Sequence, residues 1–182
     1  ILIDGVDIRS MKKHDLREAI SVVLQDVFLF SGDIKGNIGL KNDDISLEQI
    51  IKCSKYVNSH RFVDKLRDKY DHEVKERGAS FSSGEKQLLS FARALAFNPD
   101  ILILDEATSN IDTETESLIQ DAILKLIKGR TNIVVAHRLS TIKHADKIVV
   151  LHKGEIKEIG THDELLEKSG FYFDLYKLQV ET

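Results

Sequence analysis

No glycine in this chain is followed by lysine, so the phosphate-cradling pattern G-x-x-x-x-G-K-[ST] is absent. Cys53 is the only cysteine, which excludes an internal disulfide and fits a reducing compartment. Apolar runs stop at about four residues, as in Val27 to Phe30 and Ile148 to Leu151, against the roughly 20 that a membrane span needs. Net charge is −4, so no global basic field points to nucleic acid. No segment reads as a signal peptide. The opening ILIDG already reads as strand and turn, which suggests a piece of a longer polypeptide.

What is present is enough for one domain with a core: 182 residues, 42% of them hydrophobic. Ile1 to Ile3 and Ser21 to Leu24 read as short strands, with a helix over Lys12 to Ala19 between them. Gly32 to Gly39 reads as a glycine-rich turn. Ser46-x-x-Gln49 predicts a capped helix, and Ser59 to Lys69 a second. Ser82-x-x-Glu85 opens a helix with an apolar stripe of Leu88, Leu89, Ala92, Leu95 and Ala96, stopped by Asn98-Pro99. Thr113-x-x-Glu116 opens another. Ile101 to Leu104, Ile133 to Ala136 and Ile148 to Leu151 read as strands buried on both faces, and Glu155 to Ile159 as an edge strand. Leu165 to Leu178 closes the chain in helical residues. Strands alternating with helices imply a parallel α/β sheet.

In such a sheet, ligands bind beyond the carboxyl ends of the strands. Asp105 and Glu106 stand there, after Ile101 to Leu104. Adjacent carboxylates on an extended chain point to opposite sides. One can hold Mg²⁺ through water, and the other can orient a water for attack on phosphate. Taken alone, the pair is equally a strand exit into solvent. His137 follows its strand in the same way and can donate to a developing phosphate charge, although a lone histidine is more often a surface or packing residue. Ser82, Ser83 and Gly84 offer free backbone N–H groups and a positive dipole end to an anion. Glu85 fits an ordinary capping box there and would sit close to any phosphate.

These residues occur together and in order, and the whole chain resembles the ATP-binding domain of an ABC transporter. Gln25 resembles the Q-loop glutamine, and Phe81-Ser82-Ser83-Gly84-Glu85 the signature loop, followed by Ala92-Arg93-Ala94-Leu95. Ile101 to Asp105 resembles the Walker B strand, Glu106 the catalytic glutamate, Ser109 to Asp112 the D-loop and His137 the switch histidine. Leu29 to Ile34, Glu76-Arg77-Gly78, His137 to Thr141 and Gly160 to Leu165 resemble stretches typical of exporters. The resemblance implies a P-loop NTPase-like parallel-sheet core with a helical subdomain, its phosphate-loop portion lying before Ile1. It divides the chain into a partial core at 1–25, a helical signature subdomain at 26–85 and a RecA-like core at 86–182. It also implies ATP and Mg²⁺, with Glu106 and His137 catalytic, and Asp105 and Gln25 at the metal. Gln25, Ser82, Ser83, Gly84, Glu85 and Asp112 would contact nucleotide.

The implied whole is an ATP-hydrolysing motor at the cytoplasmic face of a membrane. Its partners would be a transmembrane domain of the same polypeptide and a second ATP-binding domain arranged head to tail, with no nucleic acid. Ser83 and Glu85 depart from the family's glycine and glutamine, and Lys75 stands where exporters often carry glycine. With Glu106 and His137 intact, these departures suggest one half of a heterodimer; a homodimer that tolerates them is the alternative. Without its phosphate loop the chain alone would be a non-catalytic dimerisation or trans-complementing module. A DNA-repair or chromosome-maintenance ATPase is disfavoured by the exporter-like Glu-Arg-Gly segment and by the lack of a coiled-coil insertion. Loss of the phosphate loop and its helix is expected to leave apolar sheet surface uncovered.

Overall fold

The computed structural model describes residues 1–105, 112–136 and 139–180. The chain divides into two compact units, Ile1–Val135 and Ala136–Thr182.

The first unit opens with a hairpin, β1 (Leu2–Ile3) against β2 (Val6–Asp7). Its two-residue turn is Asp4-Gly5, with φ of 48° and 81°. Asp-Gly is the sequence that tolerates two left-handed residues in a tight hairpin. Helix α1 (Lys13–Ala19) leads directly into β3 (Ile20–Val23). The central sheet is parallel, in the order β3, β6 (Ile101–Asp105), β7 (Thr131–Val135).

Its register sorts the side chains. Val23, Leu104 and Val134 lie on one row, and Ser21, Leu102 and Asn132 on another row of the same face. On that face Val23, Leu102 and Leu104 are buried. The opposite face carries Ile20, Val22, Ile101, Ile103, Ile133 and Val135. There Val22 is 52% exposed, Ile133 55% and Val135 52%. The strands were expected to be buried on both faces; in this chain they alternate. Period-two side-chain direction puts alternate aliphatics on a face that no described element of the first unit covers. The expectation of uncovered apolar sheet surface is met.

Two long helices supply the cover. They are α5 (Ser83–Ala96) and α6 (Thr113–Leu126), which pack on each other. Their buried residues, among them Leu88, Leu89, Phe91, Ile119, Ile123 and Leu126, join Val23, Leu102 and Leu104 in one core cluster. The cluster continues into α2 (Ile34–Gly39), α3 (Leu47–Tyr56) and α4 (His60–Val63) through Ile34, Ile38, Ile50, Val57 and Val63. A short antiparallel pair, β4 (Gly32–Asp33) with β5 (Glu73–Val74), completes this part.

Four local expectations change. The stretch Gly32 to Gly39 is not a turn throughout: Asp33 caps Gly36 N at 2.6 Å and starts α2, whose Ile34 and Ile38 are fully buried. Burial of two isoleucines one turn apart outweighs the low helix propensity of two glycines. The helix expected over Ser59 to Lys69 is cut short at Val63. Ser46 does cap Gln49 N, but the Gln49 side chain instead donates to Ala96 O at 2.7 Å, closing the C-terminal end of α5. Helix α6 starts one residue earlier than read, since its cap is Asp112, which accepts from Thr115 N at 2.9 Å.

The second unit contains α7 (Leu139–Ile142), an antiparallel pair β8 (Ile148–His152) and β9 (Glu155–Gly160), then α8 (His162–Glu167) and α9 (Phe171–Val180). β8 was expected to be buried on both faces. It alternates instead: Ile148 and Val150 are buried with Leu165 and Tyr172, while Val149 and Leu151 are exposed. The Glu158 carboxylate accepts from the Phe171 and Tyr172 N–H groups and so anchors the start of α9.

Candidate functional site

The parallel sheet directs the carboxyl ends of β3, β6 and β7 to one edge. Asp105 is the last residue of β6, half-buried, with Val135 as its register partner. Gln25 lies two residues beyond the end of β3 and is exposed. Parallel pairing therefore brings the Asp105 carboxylate and the Gln25 segment to the same edge, one strand apart. Glu106 and His137 continue from β6 and β7 but lie outside the described residues. Asp112 is described, and its carboxylate is engaged as the α6 cap. Hydrogen bonds from Thr115 hold its pKa below the ordinary aspartate value.

The second constellation sits at the N-terminus of α5. Ser82 Oγ accepts from Glu85 N at 3.2 Å, and Glu85 Oε2 accepts from Ser82 N at 2.8 Å. The capping box read from the sequence is present in both directions. Ser82 and Ser83 are exposed and Gly84 is buried. The helix start thus exposes Ser82 and Ser83, with the positive end of a 14-residue helix behind them. The Glu85 carboxylate occupies one of the donors that an incoming phosphate would otherwise meet.

Beside it lies Glu76-Arg77-Gly78, a tight turn ahead of Phe81. Arg77 and Gly78 both have positive φ, 54° and 63°. A Cβ at position 78 would lie 2.7 Å from Leu29 Cδ1. Only glycine fits, because the backbone is left-handed and the fully buried Leu29 packs directly against it.

Two residues have a structural claim on this region: Arg93 entered the sequence reading only within the Ala92-Arg93-Ala94-Leu95 resemblance, and Asn37 was given no role. Asn37, buried in α2, and Arg93, half-buried in α5, hold the Phe28–Phe30 segment that follows Gln25. The available signal was a lone arginine on the flank of the apolar stripe of α5. Nothing in its spacing pointed to a partner some 60 residues upstream.

Among the described residues no group of three or more His, Cys, Asp or Glu converges as a metal cage. Among the described residues no helix is long and apolar enough to cross a membrane.

Comparison with known proteins identifies the family and the fold. The family model described as ABC transporter matches residues 1–109. An uncharacterised ABC transporter ATP-binding protein of Bacillus subtilis, YfiC, is 49% identical over 181 residues, covering 100% of this chain and 30% of its own length. A second Bacillus subtilis protein, YgaD, provisionally named as a multidrug export ATP-binding/permease protein, is 51% identical over 98% of this chain and 31% of its own. A solved structure of a bacterial Atm1-family ABC exporter with ATP bound superposes with a TM-score of 0.87 at 41% identity, over 98% of this chain and 31% of that one. The chain spans about 30% of the length of the curated relatives it matches. By family match, identity and fold, this chain belongs to the ATP-binding domains of the ABC transporters.

Proposed function

We propose that this chain is the hydrolytic part of the motor domain of an ABC exporter, coupling ATP hydrolysis to transport across a membrane. The observation that carries the reading is the placement of Asp105 at the carboxyl edge of the parallel sheet, in a chain that matches an exporter solved with ATP bound. Asp105 and Gln25 would hold Mg²⁺ through water, and Mg²⁺ would neutralise phosphate charge. Glu106 would orient and polarise the attacking water. His137 would donate to the charge developing on the transferred phosphoryl group. Ser82, Ser83 and Gly84 would offer the α5 terminus to the nucleotide of a facing domain, with Glu85 and Asp112 at that boundary. The partners of this reading are a transmembrane domain in the same polypeptide and a second ATP-binding domain, at the cytoplasmic side of the membrane.

Ser83 and Glu85 leave the facing site with a side chain where the family has a bare glycine, and a carboxylate where it has an amide. A heterodimer in which this half keeps the competent carboxylate accounts for both.

The test is Glu106→Gln in the intact protein. Loss of a positioned base costs on the order of 10²-fold or more in turnover, with ATP binding retained. Wild-type turnover in that variant would remove Glu106 from the mechanism.

A further inference from the structure

Among the described residues the Arg93 guanidinium makes three hydrogen bonds, all to acceptors outside its own helix. Nε donates to Asn37 O at 2.8 Å, Nη1 to Phe28 O at 3.1 Å and Nη2 to Asn37 Oδ1 at 3.3 Å. It lies 5.8 Å from the Phe30 ring centroid. No carboxylate pairs with it among the described residues. A half-buried cation satisfied only by amide oxygens and a ring is an unusual way to hold two helices together, because desolvation costs more than neutral packing would. Burial holds its pKa below the ordinary arginine value, yet arginine stays charged at neutral pH.

Asn37 extends the set. Its Oδ1 accepts from Phe30 N at 2.8 Å, and its Nδ2 donates to Phe30 O at 2.8 Å and Asp33 O at 3.0 Å. The buried amide therefore acts on Phe30 as a neighbouring strand would, satisfying both backbone groups. The segment these bonds restrain has no regular secondary structure and is anchored elsewhere by Leu29, which is fully buried. Residues 24 to 31 belong to no helix or strand, and Phe28 and Phe30 are 49% and 53% exposed, edge to face at 5.0 Å.

One end of this segment is Gln25, two residues from the sheet edge that carries Asp105. The other end of the network is α5, whose N-terminus is the capped Ser82–Glu85 loop. Arg93 is ten residues along α5 from Ser83, so a rigid helix of about 15 Å transmits its displacement to that loop.

We propose that Arg93, with Asn37, is a positioning latch that makes the segment after Gln25 and the α5 terminus move as one body. The inference rests on the proposed function for its consequence, since the two ends it joins are the two places assigned to different nucleotides. Arginine suits the task because its planar fork reaches three fixed acceptors at once. Lysine keeps the charge and loses the fork. A purely structural role would predict uniform loosening on substitution. A latch predicts loss of correlation between the two ends.

The experiment is amide hydrogen exchange on the intact protein, with and without Mg-ATP, for wild type, Arg93→Lys and Asn37→Ala. In wild type, Mg-ATP slows exchange at 27–31 and at 83–90 together. In Arg93→Lys, exchange at 27–31 rises at least about tenfold, the loss expected when hydrogen bonds to a charged group go, and only one segment still responds to Mg-ATP. Asn37→Ala leaves Arg93 its two backbone acceptors, so it frees the Phe30 amide while α5 keeps its protection. This variant decides the matter if Arg93→Lys does not fold. Wild-type exchange at 27–31 in a folded variant, or joint responses retained in both, overturns the latch. Mg-ATP binding measured by calorimetry on the same samples reports separately on the proposed function. Its absence in wild type would sink that reading and leave the latch to be judged from exchange at 27–31 without nucleotide.

Discussion

The two faces of the β3-β6-β7 sheet both carry aliphatic residues and meet different fates. Leu102 and Leu104 face α5 and α6 and are 0% and 3% exposed. Ile133 and Val135, on the opposite face, are more than half exposed. Aliphatic content decides that a residue can be buried; only a partner element decides that it is. The carboxyl edge that holds Asp105 runs between these faces, so the candidate site sits on a sheet clamped from one side.

The largest effect that would break this comparison comes from matched truncations. Leu102→Ala should destabilise the chain by about 2–5 kcal/mol, through lost transfer energy and the cavity left behind. Ile133→Ala should change stability by about 0.5 kcal/mol or less, as for a surface position. Urea unfolding of both variants checks the pair. A large cost at Ile133 would mean that the open face is covered in solution, by association of chains.

Smaller, and on the covered side, is Gly78→Ala. It forces a left-handed Cβ against Leu29 and should cost about 1–3 kcal/mol. The same unfolding measurement reads it. A neutral result would mean that the Glu76-Arg77-Gly78 turn relaxes freely and Leu29 is not its anchor.

The smallest effect concerns the exposed rim. The Asp112 pKa is depressed by its cap bonds to Thr115, so its contribution is present above the ordinary aspartate pKa of about 3.9. It is lost as pH falls through the lower folded value. Asp112→Ala should therefore lower the melting midpoint at neutral pH, with the gap to wild type narrowing below about pH 4. A gap that is constant with pH would remove the charge from the cap.

Much of this was legible in the sequence because it is local. The reciprocal Ser82–Glu85 cap, the strand and turn of the opening ILIDG and the strand of Ile101 to Leu104 depend on residues within a turn of one another. Misreadings arose where a distant partner intervened. Gly32 to Gly39 became partly helical because Ile34 and Ile38 reach a core formed by α3 and α5. Gln49 left its own cap for the carbonyl of Ala96, 47 residues away. Glu106 and His137 rest on the sequence, their positions lying outside the described residues.

The amino-acid sequence by itself determined the parallel α/β class, the capped starts of α3 and α5, and the order of the candidate motifs, which carried the family resemblance. The class and the helix starts follow from short-range patterns of capping and apolar period, and the family from the resemblance of the ordered motifs. Tertiary structure alone decided which sheet face is covered, why position 78 admits only glycine, and that Arg93 and Asn37 tie the segment after Gln25 to α5. Such features depend on contacts between residues far apart in the chain, and no local period encodes which distant carbonyl a guanidinium will meet.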